Sequence, residues 1–388
     1  MLATAEAIEA VAHQLKIATN YAMIFGKLPA GDAAERMAAL RKQFAYLAKM
    51  VHPDHAATGA KTRAGEVFKH LNELRSRAED ALVAGTYDTT YEAGPRSHAA
   101  HDAGVELRSP AGTYRLADNP FRTGDFSMLY RGVRLGGTVR EDVIVKIASV
   151  PVNNVWLERE AQVLRRFHDA KCGDRLAKVS AFVPKLRDAF LVTGAGGMRY
   201  RANVVPYSPD YVSVAEIIAA FPNGLDPQDA AWIARRIFAQ TIAASMAHVV
   251  HGALVPDHIL VHPFTHDPLH IGWAHSVQDP KRTGARITHV IERWKDVYPP
   301  EVFQKKTPDH RTDLFMAGKT IIVLLGGDAK RNTLPTSVPE AMARTVLRCV
   351  EADPNRRIRD GKQALDEFTR VVRSLWGKAY RPLVMPVR

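Results

Sequence analysis

Through the first quarter of the chain the apolar positions return at helical spacing. Ile8, Val11, Ala12, Leu15, Ala18 and Ala22 form one stripe and predict a helix over residues 3–28. Pro29-Ala30-Gly31-Asp32 breaks the stripe and offers Asp32 as N-cap of a second helix, residues 33–50, with Met37, Leu40, Phe44, Leu47 and Val51 on one face. Arg36, Arg41, Lys42 and Lys49 lie on its other faces. His52-Pro53-Asp54 and a polar loop to about Lys61 come next, then a third helix with Val67, Phe68, Leu71, Leu74, Ala78 and Leu82 inward. Two antiparallel helices joined by a loop bury their stripes against each other, which leaves the tripeptide exposed at the tip.

Residues 85–110 lose all periodicity and are rich in Gly, Ala, His and polar side chains, so residues 89–111 read as a linker after a helical module over residues 1–88. From Gly112 the period shortens. Tyr114-Arg115-Leu116, Ser127 to Val133 and Val143 to Ala148 predict strands of a small antiparallel sheet, followed by a helix from Val155 to Phe167. Beyond residue 209 the pattern is mostly helical again: Val214 to Phe221, Asp229 to Val250, Asp313 to Leu325, Pro339 to Ala352 and Gly361 to Trp376. Between the second and third of these, His251 leads into a loop, the strand-like Ile259-Leu260-Val261, a turn, and a second short strand ending at Ile271-Gly272-Trp273-Ala274. The fold class is therefore multidomain, an all-α hairpin followed by an α+β domain over residues 112–376 with a sheet-rich part (112–205) and a helix-rich part (209–376).

Composition narrows the setting. The 388 residues are 46% hydrophobic and 24% charged, as in an ordinary soluble protein. Two cysteines, Cys172 and Cys349, provide neither a disulfide framework nor a four-thiolate zinc site, which suggests a reducing compartment. The N-terminal segment carries acids where a secretion signal has basic residues, and no apolar run approaches the roughly 20 residues that span a bilayer, so a cytoplasmic location is expected. The net charge of +12 is uneven: residues 1–90 hold 11 Lys/Arg and 10 Asp/Glu, whereas residues 370–388 hold five basic residues and no acid. This tail (377–388 beyond the last helix), with Trp376 and Tyr380 at its base, suits either plain solvation or contact with nucleic acid or an acidic surface. Seven of the 16 histidines fall between His248 and His275, but on different elements and without the His-Glu spacing of helical zinc sites. They are expected to be separate packing and surface residues, with no metal site.

The segment from Leu40 to Leu82, with its basic helix, His-Pro-Asp and Phe68-Lys69-His70-Leu71-Asn72-Glu73-Leu74, resembles the J-domain of DnaJ-type co-chaperones. The tripeptide alone equally suits a bare turn, since Pro stops a helix and Asp favours turns. The resemblance implies that His52, Pro53 and Asp54 engage a DnaK-type heat-shock ATPase and stimulate it. Arg41, Lys42 and Lys49 would then supply an electrostatic contact.

Residues 112–375 resemble the protein-kinase fold. Lys146, a lone lysine in the apolar Val145-Lys146-Ile147, matches the strand lysine that contacts ATP phosphates, and Glu160 on the next helix its ion-pair partner, with Glu158 as second choice. A purely structural pair is the other reading, because an unpaired buried charge is costly. Only Gly124 in Phe121-Arg122-Thr123-Gly124-Asp125-Phe126-Ser127 occupies a position of the glycine-rich phosphate loop. Val204 to Ser208 would form the hinge, with Pro206 and Ser208 beside an adenine. Glu301, in Tyr298-Pro299-Pro300-Glu301, matches the glutamate that pairs with an arginine, here Arg357. Asp313 matches the aspartate that anchors the catalytic-loop backbone, and His251, Trp273 and Leu164 match an internal packing spine.

The residues that carry the chemistry do not match. The resemblance aligns Ala253 with the catalytic Asp and His258 with the metal-binding Asn. Gly272 aligns with the magnesium-binding Asp. Phosphoryl transfer requires a metal, ligands to hold it and a base to orient the attacking hydroxyl, and neither Ala253 nor Gly272 can ligate or accept a proton. Asp257 offers a carboxylate nearby, at a position where the family commonly holds a Glu or Asp with no catalytic role. The resemblance thus implies a pseudokinase joined to a J-domain: a co-chaperone or adaptor that recruits and stimulates a DnaK-type ATPase while its second domain docks a client or partner. It would bind ATP without hydrolysis, if at all. The alternative is a divergent active protein kinase carrying a J-domain.

Overall fold

In the computed structural model the described residues are 8–9, 11–12, 15, 18, 21–26, 28, 32–56, 58–83, 85, 87, 104–136, 141–169, 180–208, 211–262 and 267–377. Cys172, Tyr380, most of the linker and the tail beyond Gly377 lie outside them. The chain divides into two compact units, residues 1–99 and 100–388.

The first unit is helical. Ile8, Val11, Leu15 and Ala18 are buried, and α1 (Ala22–Phe25) closes at Gly26, whose φ of 78° ends the helix short of residue 28. In α2 (Ala33–Val51) the Asp32 carboxylate accepts the Glu35 N–H at 2.8 Å. Glu35 in its first turn and Lys49 in its last both oppose the helix dipole favourably. Pro53 stops it, because the residue before a proline is pushed out of helical geometry, and His52 has ψ 127°. In α3 (Lys61–Val83) the buried Ala64, Val67, Leu71, Leu74, Ala78 and Leu82 recur every three to four residues and meet Leu40, Leu47 and Val51 of α2 in one core.

The second unit is α+β. Its main sheet is antiparallel, in the order β1 (Glu106–Ser109), β2 (Gly112–Leu116), β4 (Ser127–Leu135), β5 (Glu141–Ala148), β7 (Arg199–Pro206), β6 (Asp188–Thr193), with β3 (Arg122–Thr123) on β4. β1 lies inside the stretch read as linker: Glu106 to Ser109 pair with Arg115 to Gly112, so the folded unit starts before Gly112. Sequence missed it because four polar-rich residues on a sheet edge bury too little to show alternation. Helix α4 (Asn154–His168) packs beside β7, and its Leu157, Ala161, Leu164 and Phe167 face inward.

Among the described residues, five longer helices and short strands complete the unit: α5 (Val214–Ala220), α6 (Pro227–Met246), α9 (His310–Leu324), α10 (Glu340–Cys349) and α11 (Gly361–Trp376), with single-turn α7 (Pro280–Thr283) and α8 (Pro300–Phe303) between α6 and α9. Helix α6 ends at Met246 and does not run to Val250. His248 adopts φ 54°, and β9 (Val249–Val250) pairs with β12 (Val277–Gln278). An apolar run continuing unbroken from helix into strand hid that boundary. β10 (Ile259–Val261) lies between β8 (Val212–Ser213) and β11 (Pro268–His270). Among the described residues, no helix is long and apolar enough to cross a membrane.

Candidate functional site

Two places gather the residues singled out from sequence. At the turn of the α2–α3 hairpin, Asp54 is exposed, with 82% of its side chain accessible, and Pro53 is half-buried. His52 is not a free tip residue. Its ring meets Phe68 edge-on at 4.8 Å, and its Nδ1 accepts the Asp54 N–H at 3.2 Å, so the imidazole fixes the turn that presents the aspartate. Lys42 and Lys49 are exposed on α2. Arg41 is spoken for in part, since its Nε donates to Glu79 of α3 at 3.0 Å.

The second place is the cleft below the sheet. Lys146 of β5 forms an ion pair with Glu160 of α4, and Glu160 also accepts from Asn203 Nδ2 at 3.1 Å. Asn203 stands directly across the ladder from Lys146 and bonds the Leu157 carbonyl at 2.8 Å, so strand pairing and helix position fix the pair together. Sequence reading passed over Asn203, although one polar residue inside Ala202-Asn203-Val204-Val205 signals it. Glu158 pairs instead with Arg201.

Of the other positions that the resemblance assigned to a nucleotide, Gly124 and the backbone beside Pro206 are committed elsewhere. The Gly124 N–H, which a phosphate-binding loop would point at its ligand, donates to Ser127 O at 2.8 Å within its own turn. Pro206 has no N–H, and that of Tyr207 goes to the Asp142 carbonyl at 2.9 Å; Ser208 follows, half-buried. Phe126 is turned inward. It stacks on Trp156 at 4.1 Å and 3°, and lies 4.8 Å from the His275 ring.

The loop after β9 is held by Asp313 of α9, whose two oxygens accept the N–H groups of His251 at 2.7 Å and Gly252 at 3.0 Å. Burial pushes this carboxyl up to about 7 against the pull of the two amides. His251 Nε2 lies 2.9 Å from the Ile271 carbonyl, and its ring packs on Trp273 at 4.4 Å. Trp273 packs in turn on Phe167 at 4.7 Å, in a cluster that includes Leu164, and its indole N–H donates to His270 O at 2.7 Å. Phe167, three residues beyond Leu164 on the same helix face, is the ring contact that sequence reading omitted. Asp257 is tied to the indole of Trp294 at 2.5 Å and to Arg293 at 3.5 Å.

Ala253, Gly272 and His258 meet at the centre of the cleft. Ala253 O receives His258 Nδ1 at 2.9 Å, and Gly272 has φ 84°. A Cβ on Gly272 would lie 2.4 Å from His258 Nδ1 and 2.5 Å from its Cγ, so the imidazole occupies the space a side chain at 272 would need. Burial, reinforced by His275, lowers His258 to about 3, and burial likewise lowers His275. Both are neutral at physiological pH.

The histidines do not stay scattered. The fold places Asp125, His258 and His275 so that one ligand atom from each lies within 4.8 Å of the others, and His289 stands 4.0 Å from Asp125. Two of the seven histidines between His248 and His275 are thus brought together with Asp125, a convergence that spacing along the chain does not reveal.

Away from the cleft, Glu301 of α8 and Arg357 form a buried two-pronged pair at 2.7 and 2.8 Å. Arg357 also donates to the carbonyls of Glu351, Arg311 and Ala352, so nearly all of its fork is satisfied. The pair joins α8 to the segment before α11. No protein-family model matches this chain, and no curated protein matches it in sequence.

Proposed function

We propose that this chain is a co-chaperone or adaptor of J-domain type, which recruits and stimulates a DnaK-type heat-shock ATPase in a reducing, cytoplasmic setting. Its second unit is a pseudokinase that docks a client or partner protein. The observation that carries this reading is the His52-Pro53-Asp54 turn. It joins two packed antiparallel helices, displays Asp54 to solvent and lies beside a helix whose Lys42 and Lys49 are exposed. The His52 imidazole accepts the Asp54 N–H and so pre-orders the exposed aspartate, and a surface that binds a partner gains from a pre-ordered contact.

For the second unit, the kept and the lost features point the same way. Asp313, the His251–Trp273 packing and the Glu301–Arg357 pair retain the frame of a kinase-like domain. Ala253 and Gly272 carry no carboxylate, and His258 fills the space that a side chain at 272 would need. ATP turnover is accordingly assigned to the chaperone partner. The second reading, a divergent active kinase, draws on one observation, the intact Lys146–Glu160 pair. Asn203 and the burial of Glu160 give that pair a structural role without nucleotide. The test of the main reading is ATP hydrolysis by a DnaK-type ATPase with the full chain and with His52→Gln, where stimulation by the parent and loss in the variant are expected.

A further inference from the structure

We propose that Asp125, His258 and His275 bind a divalent transition-metal ion of the zinc class, with His289 as the residue placed to close a fourth position. This goes beyond the co-chaperone reading and does not depend on it.

The argument begins with geometry. His275 Nε2 and Asp125 Oδ2 are already 3.0 Å apart, about the spacing of two atoms bound to one ion at 2.0–2.1 Å each. The ring centres of His258 and His275 are 5.3 Å apart, and those of His275 and His289 also 5.3 Å. Two imidazoles on one tetrahedral zinc, each bound through nitrogen at about 2.0 Å, place their ring centres about 5 Å apart. Both spacings therefore suit a shared ion, and one ligand atom from each of Asp125, His258 and His275 lies within 4.8 Å of the others.

The chemistry of the donors agrees. His258 commits Nδ1 to the Ala253 carbonyl at 2.9 Å, so Nδ1 carries the proton and Nε2 keeps its lone pair. An outer hydrogen bond from the second ring nitrogen to a backbone carbonyl is how metal-bound histidines are commonly oriented. His275 is 4% exposed at its side chain and turns Nε2 toward Asp125, while its Nδ1 is buried with no hydrogen-bond partner, so Nδ1 can carry the proton and Nε2 can offer its lone pair to an ion. Imidazoles with one carboxylate favour zinc, cobalt or nickel, whereas magnesium and calcium prefer oxygen donors. Asp125 is about one-third exposed, so an ion has a way in. It comes from the β3–β4 turn, while His258 and His275 flank the Gly272 strand end, so a bound ion would pin that turn across the cleft.

The experiment uses the full chain stripped with chelator and titrated with Zn2+, then with Co2+ as a visible-absorption probe. One saturable ion per chain is expected, with cobalt bands of nitrogen and oxygen ligation and no competition from millimolar Mg2+. Asp125→Ala, at a partly exposed position, should weaken binding at least tenfold. Its circular dichroism must match the parent; if it does not, His258→Gln serves as the variant. Absence of saturable binding, equal affinity in the folded variant, or displacement by Mg2+ would each overturn the proposal.

Discussion

Gly272 is the single position at which the proposed pseudokinase reading can be tried most sharply. Its φ of 84° strains any L side chain, and the His258 ring lies 2.4 Å from where a Cβ would stand. Restoring a carboxylate there meets both obstacles. Gly272→Asp should destabilise the second unit by about 2–5 kcal/mol, from backbone strain and overpacking together, read as a lowered denaturation midpoint. It should gain no phosphate transfer from ATP to generic acceptors in magnesium. A variant as stable as its parent, or one that phosphorylates, would contradict the pseudokinase reading. The residue pairs Lys146–Glu160 and Glu301–Arg357 were legible in sequence because each falls in a recognisable frame. Asn203, Phe167 and the Asp125–histidine cluster were not, because their meaning lies in strand register and in loops that meet only after folding.

At the scale of elements, the two helices of the hairpin are legible because their stripes and caps agree. Asp32 accepts the Glu35 N–H, and Asp32→Ala should cost about 1 kcal/mol. Amide exchange in the first turn of α2 should then accelerate roughly fivefold, while the middle of α3 stays protected to the same degree. Unchanged exchange at Glu35 would show that the cap contributes nothing. The helices Val214–Ala220 and Gly361–Trp376 were likewise placed within a residue or so. Errors fell where an apolar run crosses from helix to strand, at Met246 to Val250, and where an edge strand is polar, at Glu106 to Ser109. In the first case the strand partner, Val277–Gln278, lies many residues away; in the second the partner is the next strand, Gly112–Leu116, and the polarity of the sheet edge hides the pairing.

At the scale of the whole molecule, several buried histidines make the second unit sensitive to acid. His270 is fully buried with neither ring nitrogen hydrogen-bonded, and burial lowers it to about 3. The folded state therefore refuses a proton that the unfolded state takes up below about 6.5, so this group's effect on stability is absent above that pH and grows unfavourable as pH falls. Between pH 7.5 and 5.5 the loss from His270 alone is about 1.4 kcal/mol. Asp313 acts oppositely: its folded value of about 7 exceeds the unfolded one, so protonation below 7 favours the folded state by about 1.9 kcal/mol over the same window, more than the loss from His270 alone but less than the roughly 2.8 kcal/mol lost by His258 and His270 together. In chelator-containing buffer, guanidinium unfolding should show lower stability at pH 5.5 than at 7.5. His270→Leu should flatten that dependence by about 1.4 kcal/mol, and an equally steep profile in the variant would refute the assignment.

The central claim rests on the hairpin turn, where His52 braces Asp54 by one hydrogen bond and packs on Phe68. Loss of that ring contact in His52→Gln costs about 1 kcal/mol, too little to unfold two helices that share a buried core. Single-turnover ATP hydrolysis by a DnaK-type ATPase, measured with the full chain and with His52→Gln at matched helical content, is the most direct test. The account predicts faster hydrolysis with the parent and the unstimulated rate with the variant. Equal stimulation by both proteins, or none by the parent, would contradict it.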